Sequence, residues 1–238
     1  MIVTIHQPEH LPWLGFLDKI AKADLFVVLD TVQYRKNYFQ NRNKIRTVQG
    51  FSWITVAVKK TSLQTKICDI EIFQSRKLVT KYLGQIEETY KYSSHFDNYF
   101  NTLKDILTFG YDKLSDLNCS LLAFLLKSYG IQTRIIKASE MNLPSDIGGS
   151  NLIHKICKIA DAQTYLSGIS GKDYLDFQDF LDSKIDVVFQ EFYHPVYKQL
   201  HEPFLPCMSS IDLLFNYGED APDILFGKNV KRLDYLFE

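Results

Sequence analysis

Short apolar runs alternate with helical periodicity at the start of the chain. Residues 2–5 and residues 25–29 are apolar runs that each predict a buried strand. Between them, apolar side chains recur at helical spacing from Leu14 to Ala21, and Pro12 occupies a position suited to a helix start. A strand, a helix and a strand in such close succession predict a βαβ unit with two parallel strands.

The rest of the pattern predicts a hairpin, a helical segment and further strands. β-forming side chains on either side of Gln49 and Gly50 predict a β-hairpin. Helical periodicity dominates a segment at about 75–129, which ends at Gly130. Further strands are predicted at 131–136, 164–166 and 187–192, and further helices at 151–160 and 209–215.

Strands that alternate with helices in this way are typical of the α/β class. We therefore expect residues 1–238 to form a single α/β domain. Its architecture should be an open, mostly parallel sheet with flanking helices in three layers, a β-hairpin insertion and the helical segment at about 75–129. Ligands of such sheets bind at the carboxyl ends of the strands, so the residues that follow predicted strands are the first candidates for a site.

Composition narrows the class of protein. Hydrophobic residues make up 46% of the chain and charged residues 23%, which is typical of a globular protein and excludes a disordered one. The net charge of -1 argues against a protein that binds nucleic acid through its whole surface, although local basic patches remain open. No nucleic-acid partner is therefore expected.

The four cysteines and the N-terminus add expectations about metals and location. No CxxC pair is present, so neither a zinc cluster nor a disulfide scaffold is expected, and no metal site is predicted. The N-terminus lacks a basic region followed by a long apolar run, and no segment has the length and apolar character of a membrane span. These features predict a cytoplasmic protein with reduced thiols.

The ends of the first two predicted strands carry the first candidates. His6 and Gln7 follow the first strand and precede a helix N-terminus, an arrangement suited to an anionic ligand. Asp30 follows the second strand and could orient a base, bind a sugar hydroxyl or bind a metal, and Tyr34 lies four residues later. Each residue could also serve only to fix its loop, and His10 is expected to be a surface or loop histidine.

The predicted hairpin carries a second group. Asn41 and Asn43 should share one face of a strand, whereas Arg42 and Lys44 share the other. Asparagine is disfavoured in strands, so two amides on one face favour a binding role, and the basic face could contact phosphates. A solvated edge strand is the structural alternative.

A glycine- and serine-rich loop follows the predicted strand at 164–166. Glycines, hydroxyls and a lysine after a strand are typical of loops that bind phosphate, although the spacing is not that of a P-loop. The candidates in this loop are Ser167, Gly168, Gly171, Lys172 and Tyr174.

Two other patterns favour structural roles. Ser209 and Asp212 match a capping arrangement at the start of a predicted helix. Cys157 lies one helical turn from His154, but its apolar helix predicts a buried, inert thiol.

Several of these segments together resemble one family, the WbqC-like family, whose members occur among bacterial genes for O-antigen and other surface polysaccharides. The resemblance spans nearly the whole chain. It implies a transferase that moves an acyl or aminoacyl group, such as glycyl, onto an amino sugar. The segments that carry the resemblance are residues 5–8, 11–15, 16–20, 30–34, 40–45, 165–168, 171–174 and 210–216.

A fainter resemblance connects residues 7–14 and 169–172 with nucleotidyltransferases. His10 matches the first histidine of their signature, whereas Pro12 and Trp13 replace its glycine and second histidine. This resemblance implies a nucleotide-binding α/β sheet more than it implies nucleotidyl transfer.

Together these patterns predict one cleft that gathers His6, Asp30, Asn41 and the loop at 167–172. His6 would be the general base and Asp30 would orient it, while the other candidates bind the substrate. The expected partners are a small-molecule sugar and, as a source of the acyl group, an acyl carrier protein or a nucleotide, with no resident cofactor. Two alternatives are open: an ATP-dependent adenylyltransferase-like enzyme and a non-catalytic sugar-nucleotide binding protein.

Overall fold

The computed structural model of the chain, which describes residues 1–227, contains a five-stranded sheet and a separate two-stranded hairpin. The sheet strands are β1 (Ile2–His6), β2 (Leu25–Val28), β5 (Arg134–Lys137), β6 (Thr164–Ser167) and β7 (Asp186–Phe189), and the hairpin strands are β3 (Arg42–Thr47) and β4 (Gly50–Thr55). The sheet has the order β5-β2-β1-β6-β7, and all of its pairings are parallel. The predicted α/β class, parallel sheet and hairpin are confirmed.

Helices connect the strands and form most of the segment between the hairpin and β5. They are α1 (Leu14–Ala21), α2 (Arg76–Tyr90), α3 (Phe96–Thr108), α4 (Leu114–Ser128), α5 (Gly149–Ile159), α6 (Phe177–Asp182), α7 (Ile211–Tyr217) and α8 (Ala221–Phe226). The predicted helical segment corresponds to α2, α3 and α4. Within residues 1–227, no helix has both the length and the apolar character needed to cross a membrane.

Two apolar cores cover the two faces of the sheet, as the side-chain alternation of β2 shows. Phe26 and Val28 belong to the larger core, which includes residues of α1 to α4 and α7. Leu25 and Val27 belong to the smaller core, which includes residues of α5. Because a parallel sheet is buried on both faces, its strands are continuous apolar runs, and the three-layer prediction is confirmed.

The fifth strand starts later than the pattern predicts. Gly130 adopts φ 66° after α4, and the amide of Ile131 donates to the carbonyl of Leu126. This hydrogen bond closes the helix end and prevents Ile131 from joining the sheet. The strand therefore begins at Arg134 rather than at residue 131.

The hairpin packs against the loop between β1 and α1. Arg42 and Lys44 lie on its outer face, and Asn43 points inward. The Asn43 Nδ2 donates to the carbonyls of His10 and Leu11 at 3.1 and 2.8 Å. Leu11 has φ 44°, a conformation that costs free energy for a residue with a side chain, so these contacts hold the loop in a fixed shape.

Candidate functional site

The strand order places a crevice at the carboxyl end of β1. From β1 the chain builds β2 and β5 on one side of the sheet and later β6 and β7 on the other. Loops that leave neighbouring strands in opposite directions open a crevice, which is where open α/β sheets bind ligands. Thr4 pairs with Leu166, so β1 and β6 run side by side and end at the same edge of the sheet. His6 is the last residue of β1, and the glycine-rich loop begins directly after β6.

The imidazole of His6 is held in one tautomer and is uncharged. Its Nδ1 lies 2.9 Å from the carbonyl oxygen of Gln7, which can only accept, so Nδ1 carries the proton and donates. Its ring packs edge-on against Phe16. Burial, together with the positive charge of Lys19, lowers the pKa of His6 to about 3. At neutral pH, Nε2 is therefore a hydrogen-bond acceptor that binds a proton weakly.

Two further ionisable groups accompany His6, on the loop after β1 and on α1. Burial raises the pKa of Glu9 to about 7, and the charge of Lys19 counteracts this rise. The Lys19 side chain is only 3% exposed, and burial lowers its pKa to about 8 while the charge of Glu9 opposes the fall. Lys19 Nζ contacts the carbonyl of Ile5 at 3.4 Å. In the described part of the chain, the buried Oε2 of Glu9 has no hydrogen-bond partner.

We call His6, Glu9 and Lys19 the trio. Its chemistry follows from the raised pKa of Glu9 and the lowered pKa of Lys19. A carboxyl with a pKa near 7 can accept and release a proton at physiological pH, and efficient general bases have this property. A buried ammonium whose charge acts on this carboxyl can also stabilise negative charge that develops on a substrate. Perturbed pKa values in a crevice are characteristic of functional sites.

The loop after β6 forms the opposite side of the crevice. It contains a short 3-10 helix over Ile169–Asp173. Ser167 Oγ donates to the carbonyl of Gly168, and a β-carbon at Gly171 would displace this hydroxyl. The Lys172 side chain is exposed, with Nζ 5.0 Å from the ring centroid of Phe189.

Tyr174 lies at the end of this loop and is exposed over 52% of its surface. Its hydroxyl interacts with that of the buried Tyr165 of β6, and partial burial raises the pKa of Tyr174. Tyr174 therefore closes the loop against β6 while it presents part of its ring to solvent.

Asp30 lies at the same sheet edge, but its carboxylate is engaged away from His6. The residue is fully buried. It accepts hydrogen bonds from the Ser115 hydroxyl at 3.1 Å and from the amide and hydroxyl of Ser139 at 2.9 and 2.7 Å. Among residues 1–227 it has no hydrogen bond to His6. These contacts tie the end of β2 to α4 and to the segment after β5.

Gln7 connects the crevice to the segment before the hairpin. Its Oε1 accepts from Gln40 Nε2 at 2.6 Å, and Gln40 Oε1 accepts from the amide of Arg35. Asn41 is buried and donates from Nδ2 to the carbonyl of Val56 at 3.0 Å. The chain itself thus holds Gln7 through its side-chain oxygen and Asn41 through its side-chain nitrogen.

Tyr34 and Arg42 retain unused polar groups. Tyr34 is 7% exposed, and its hydroxyl and the Nε of Arg42 have no hydrogen-bond partner among the described residues. Burial raises the pKa of Tyr34, and the positive charge of Arg42 opposes this rise. These two predicted substrate-binding residues are therefore close enough to interact and keep free donors.

His10 lies in the loop between β1 and α1, which agrees with one of its two expected places, but it is fully buried and not at the surface. Its Nδ1 lies 2.9 Å from Asn118 Oδ1, and its Nε2 lies 2.6 Å from the Tyr82 hydroxyl. Both ring nitrogens are therefore used within the chain, and burial lowers its pKa to about 4. His10 stabilises the loop that carries Glu9.

A cavity of about 850 Å³ lies away from the crevice, between β4, α2 and α3. Apolar side chains such as Phe73, Leu83 and Leu107 line it. Its connection to the crevice is indirect, through Tyr82, which lines the cavity and contacts His10.

Glu9 and Lys19 are absent from the sequence-based candidates. Lys19 follows Asp18 in a helix, and adjacent charged residues normally mark a solvated face, yet both are buried because α1 is covered on nearly all sides. The available signal was position: Glu9 lies three residues after His6, in the loop that leaves a buried strand.

Comparison with known proteins identifies the family. The model of the WbqC-like protein family matches residues 7–224. The chain belongs to this family. It is 34% identical over 226 residues to the uncharacterized protein Rv1507c of Mycobacterium tuberculosis, covering 94% of this chain and 96% of that relative. No solved structure is significantly similar to the chain.

The part matched by the WbqC-like model includes most of the crevice. Glu9, Lys19 and the loop after β6 lie within it, whereas His6 precedes its first residue by one position. The expected resemblance to the WbqC-like family is therefore confirmed, and it covers the elements that form both sides of the crevice.

Proposed function

We propose that this WbqC-like protein is a transferase that moves an acyl or aminoacyl group, such as glycyl, onto the amine of an amino sugar. The setting, synthesis of O-antigen or another surface polysaccharide, follows from the family resemblance. The observation that carries the proposal is the partly buried Glu9 carboxyl, whose pKa is raised to about 7, and the buried Lys19 ammonium, whose charge acts on it. Amine acylation needs both a base and a group that stabilises an oxyanion.

In the proposed reaction, the sugar amine attacks the carbonyl carbon of an acyl ester or thioester. The new carbon–nitrogen bond forms as Glu9 takes the amine proton, and negative charge on the carbonyl oxygen is stabilised by Lys19. The carbon–oxygen or carbon–sulfur bond of the donor then breaks, and the leaving group takes the proton from Glu9. His6 Nε2 accepts a hydrogen bond from the acceptor and orients it.

The cysteines favour this direct transfer over an acyl-enzyme. The pKa values of all four thiols are raised, chiefly by burial, to about 11 for Cys119 and about 12 for Cys157. A thiol is a strong nucleophile only as the thiolate, so none of them is activated at neutral pH.

A second candidate is a nucleotide-dependent transferase of the adenylyltransferase kind. The strand order β5-β2-β1-β6-β7 supports it, because doubly wound sheets with their reversal at the first strand bind nucleotides at that point. In that case the loop over residues 168–173 would contact phosphates, with Lys172 supplying positive charge.

The test is an acylation assay with purified full-length protein. The N-acetylcysteamine thioester of glycine serves as donor, a panel of nucleotide-linked amino sugars serves as acceptor, and mass spectrometry detects the glycylated sugar. We expect product with at least one acceptor and a pH optimum between about 7 and 8, because Glu9 must lose its proton and Lys19 must keep its own.

Two companion measurements, of pyrophosphate release and of the melting temperature, can contradict direct acyl transfer. Pyrophosphate release that requires ATP, Mg²⁺ and an acceptor would favour the nucleotide-dependent enzyme. A rise in melting temperature with a nucleotide sugar, without product from any donor or from ATP, would favour a non-catalytic binding protein.

A further inference from the structure

Basic and acidic residues are unevenly distributed along this chain, and the net charge does not show this. Residues 31–68 contain eight Lys and Arg and no Asp or Glu. The other 200 residues carry 19 basic and 28 acidic side chains. The net charge of -1 averages these two parts, which is why composition argues against a nucleic-acid partner although a strongly basic region is present.

Aromatic rings are interleaved with these cations on the outer face of the hairpin. The Arg42 guanidinium lies 4.1 Å from the ring centroid of Trp53, and Lys44 Nζ lies 4.6 Å from that of Phe51. In the segment before the hairpin, Arg35 lies 5.8 Å from the centroid of Tyr38. We call these six residues the cation–aromatic surface.

The surface is continuous and open to solvent. Phe39 bridges its two parts, with ring centroids 5.4 Å from Tyr38 and 5.7 Å from Trp53. Phe51 contacts Trp53 at 6.1 Å. Tyr38 is 45% exposed and Phe51 47% exposed, so both rings are accessible to a partner.

The cations of this surface form no ion pair with a described carboxylate. Within residues 1–227, neither Arg35, Arg42 nor Lys44 has a carboxylate within 4.0 Å. Two other cations of the basic region are already engaged: Lys59 pairs with Glu71 at 2.6 Å, and the buried Arg46 donates to backbone carbonyls. The charges on the hairpin face are therefore available to a partner.

We propose that the cation–aromatic surface binds single-stranded nucleic acid. A guanidinium over the face of an indole, as Arg42 is over Trp53, can also contact a base through its π-system and a phosphate through its N–H groups. Exposed rings beside cations are the combination that binds unpaired bases and their backbone together. An acidic protein would use the cations but has no need of the exposed rings, and a duplex hides its base faces, so the rings favour the single strand.

The surface also adjoins the crevice. Asn43, on the inner face of the same strand as Arg42 and Lys44, contacts the loop that carries Glu9. A strand bound on the hairpin could thus extend toward the trio. The binding itself does not depend on the proposed transferase activity, and it is measured without turnover.

The test is fluorescence anisotropy with the full-length protein and a labelled 12-nucleotide oligouridylate. We expect binding at 50 mM salt that weakens steeply toward 200 mM, because phosphate contacts release counterions. Replacing Lys44 and Phe51 together by alanine should weaken binding at least about fivefold. It should also reduce the slope of log affinity against log salt concentration by about one. Tyr38→Ala, in a loop outside the strands, should weaken binding without altering the hairpin.

A matched control is available elsewhere on the molecule. Lys91 lies 5.1 Å from the ring centroid of Tyr92, which is 81% exposed, so this is a cation–ring pair outside the basic region. Replacing both by alanine should leave binding unchanged. The proposal is wrong if oligouridylate does not bind at 50 mM salt, or if the control pair matters as much as the hairpin pair. It is also wrong if a 12-base-pair duplex or polyglutamate competes as well as the single strand.

Discussion

Replacing Glu9 by glutamine is expected to lower turnover by about 10²–10⁴-fold, the range in which general bases contribute. Glutamine has the shape of the carboxyl but cannot accept the amine proton at neutral pH. The measurement is the rate of formation of the glycylated sugar at saturating acceptor. A loss of rate with little change in acceptor binding would identify Glu9 as the base rather than as a binding group.

The fold should tolerate this change. Burial raises the pKa of Glu9 from 4.5 to about 7, so the stability that the protonated form provides is lost as the pH rises through this interval. Glutamine avoids that loss, and at pH 8 the variant should be no less stable than the unmodified chain. Glu71→Gln, at an exposed ion pair with Lys59, is the matched control and should retain full turnover. Equal rates for Glu9→Gln and Glu71→Gln would refute the assigned role.

Replacing Asp212 by alanine should lower the free energy of unfolding by about 3–5 kcal/mol, as expected when a buried polar network loses its central acceptor. The carboxylate is fully buried and accepts from Tyr90 at 3.0 Å, Tyr197 at 2.8 Å and Gln199 at 3.0 Å. Without it, the hydroxyls of Tyr90 and Tyr197 lack an acceptor, and Gln199 Nε2 keeps only its hydrogen bond to the carbonyl of Leu205. Urea unfolding followed by circular dichroism measures the change.

Asp182 provides the comparison for this variant. It is exposed and accepts one hydrogen bond, from Gln178 on the same helix, so Asp182→Ala should change stability by less than about 0.5 kcal/mol. If Asp212→Ala were as mild as Asp182→Ala, the buried network would not contribute as the contacts indicate.

Asp212 also illustrates what the sequence leaves undetermined. The spacing Ser209 to Asp212 correctly predicts a helix, but the capping role is wrong: α7 begins at Ile211 after Ser210, which makes no side-chain capping bond. The carboxylate instead serves tyrosines that are distant in sequence. Local patterns report local hydrogen bonds, and they contain no information about partners brought together by tertiary structure.

The sequence predicts the strands of the sheet better than it predicts where each strand begins. Buried parallel strands are continuous apolar runs, so residues 2–5 and 25–29 are recognisable without any tertiary information. The start of β5 was misplaced because Ile131 is as apolar as a strand residue but is held by the end of α4.

The sequence indicates where in the fold the candidate site lies, but it indicates only some of the residues that form it. His6 ends β1 and the loop after Ser167 follows β6, and a parallel sheet brings these strand ends to one edge. The sequence does not indicate Glu9 and Lys19, because burial shifts their pKa values and the elements that cover a charged residue decide its burial.

The most direct test of the account is a measurement of the Glu9 carboxyl pKa. Carbon-13 NMR of protein labelled at the glutamate side-chain carboxyls, with Glu9→Gln to assign the resonance, follows its titration. We expect a midpoint at about pH 7, because burial raises the pKa of this carboxyl. A midpoint near 4.5, the value of an ordinary glutamate, would contradict the proposed acid–base centre.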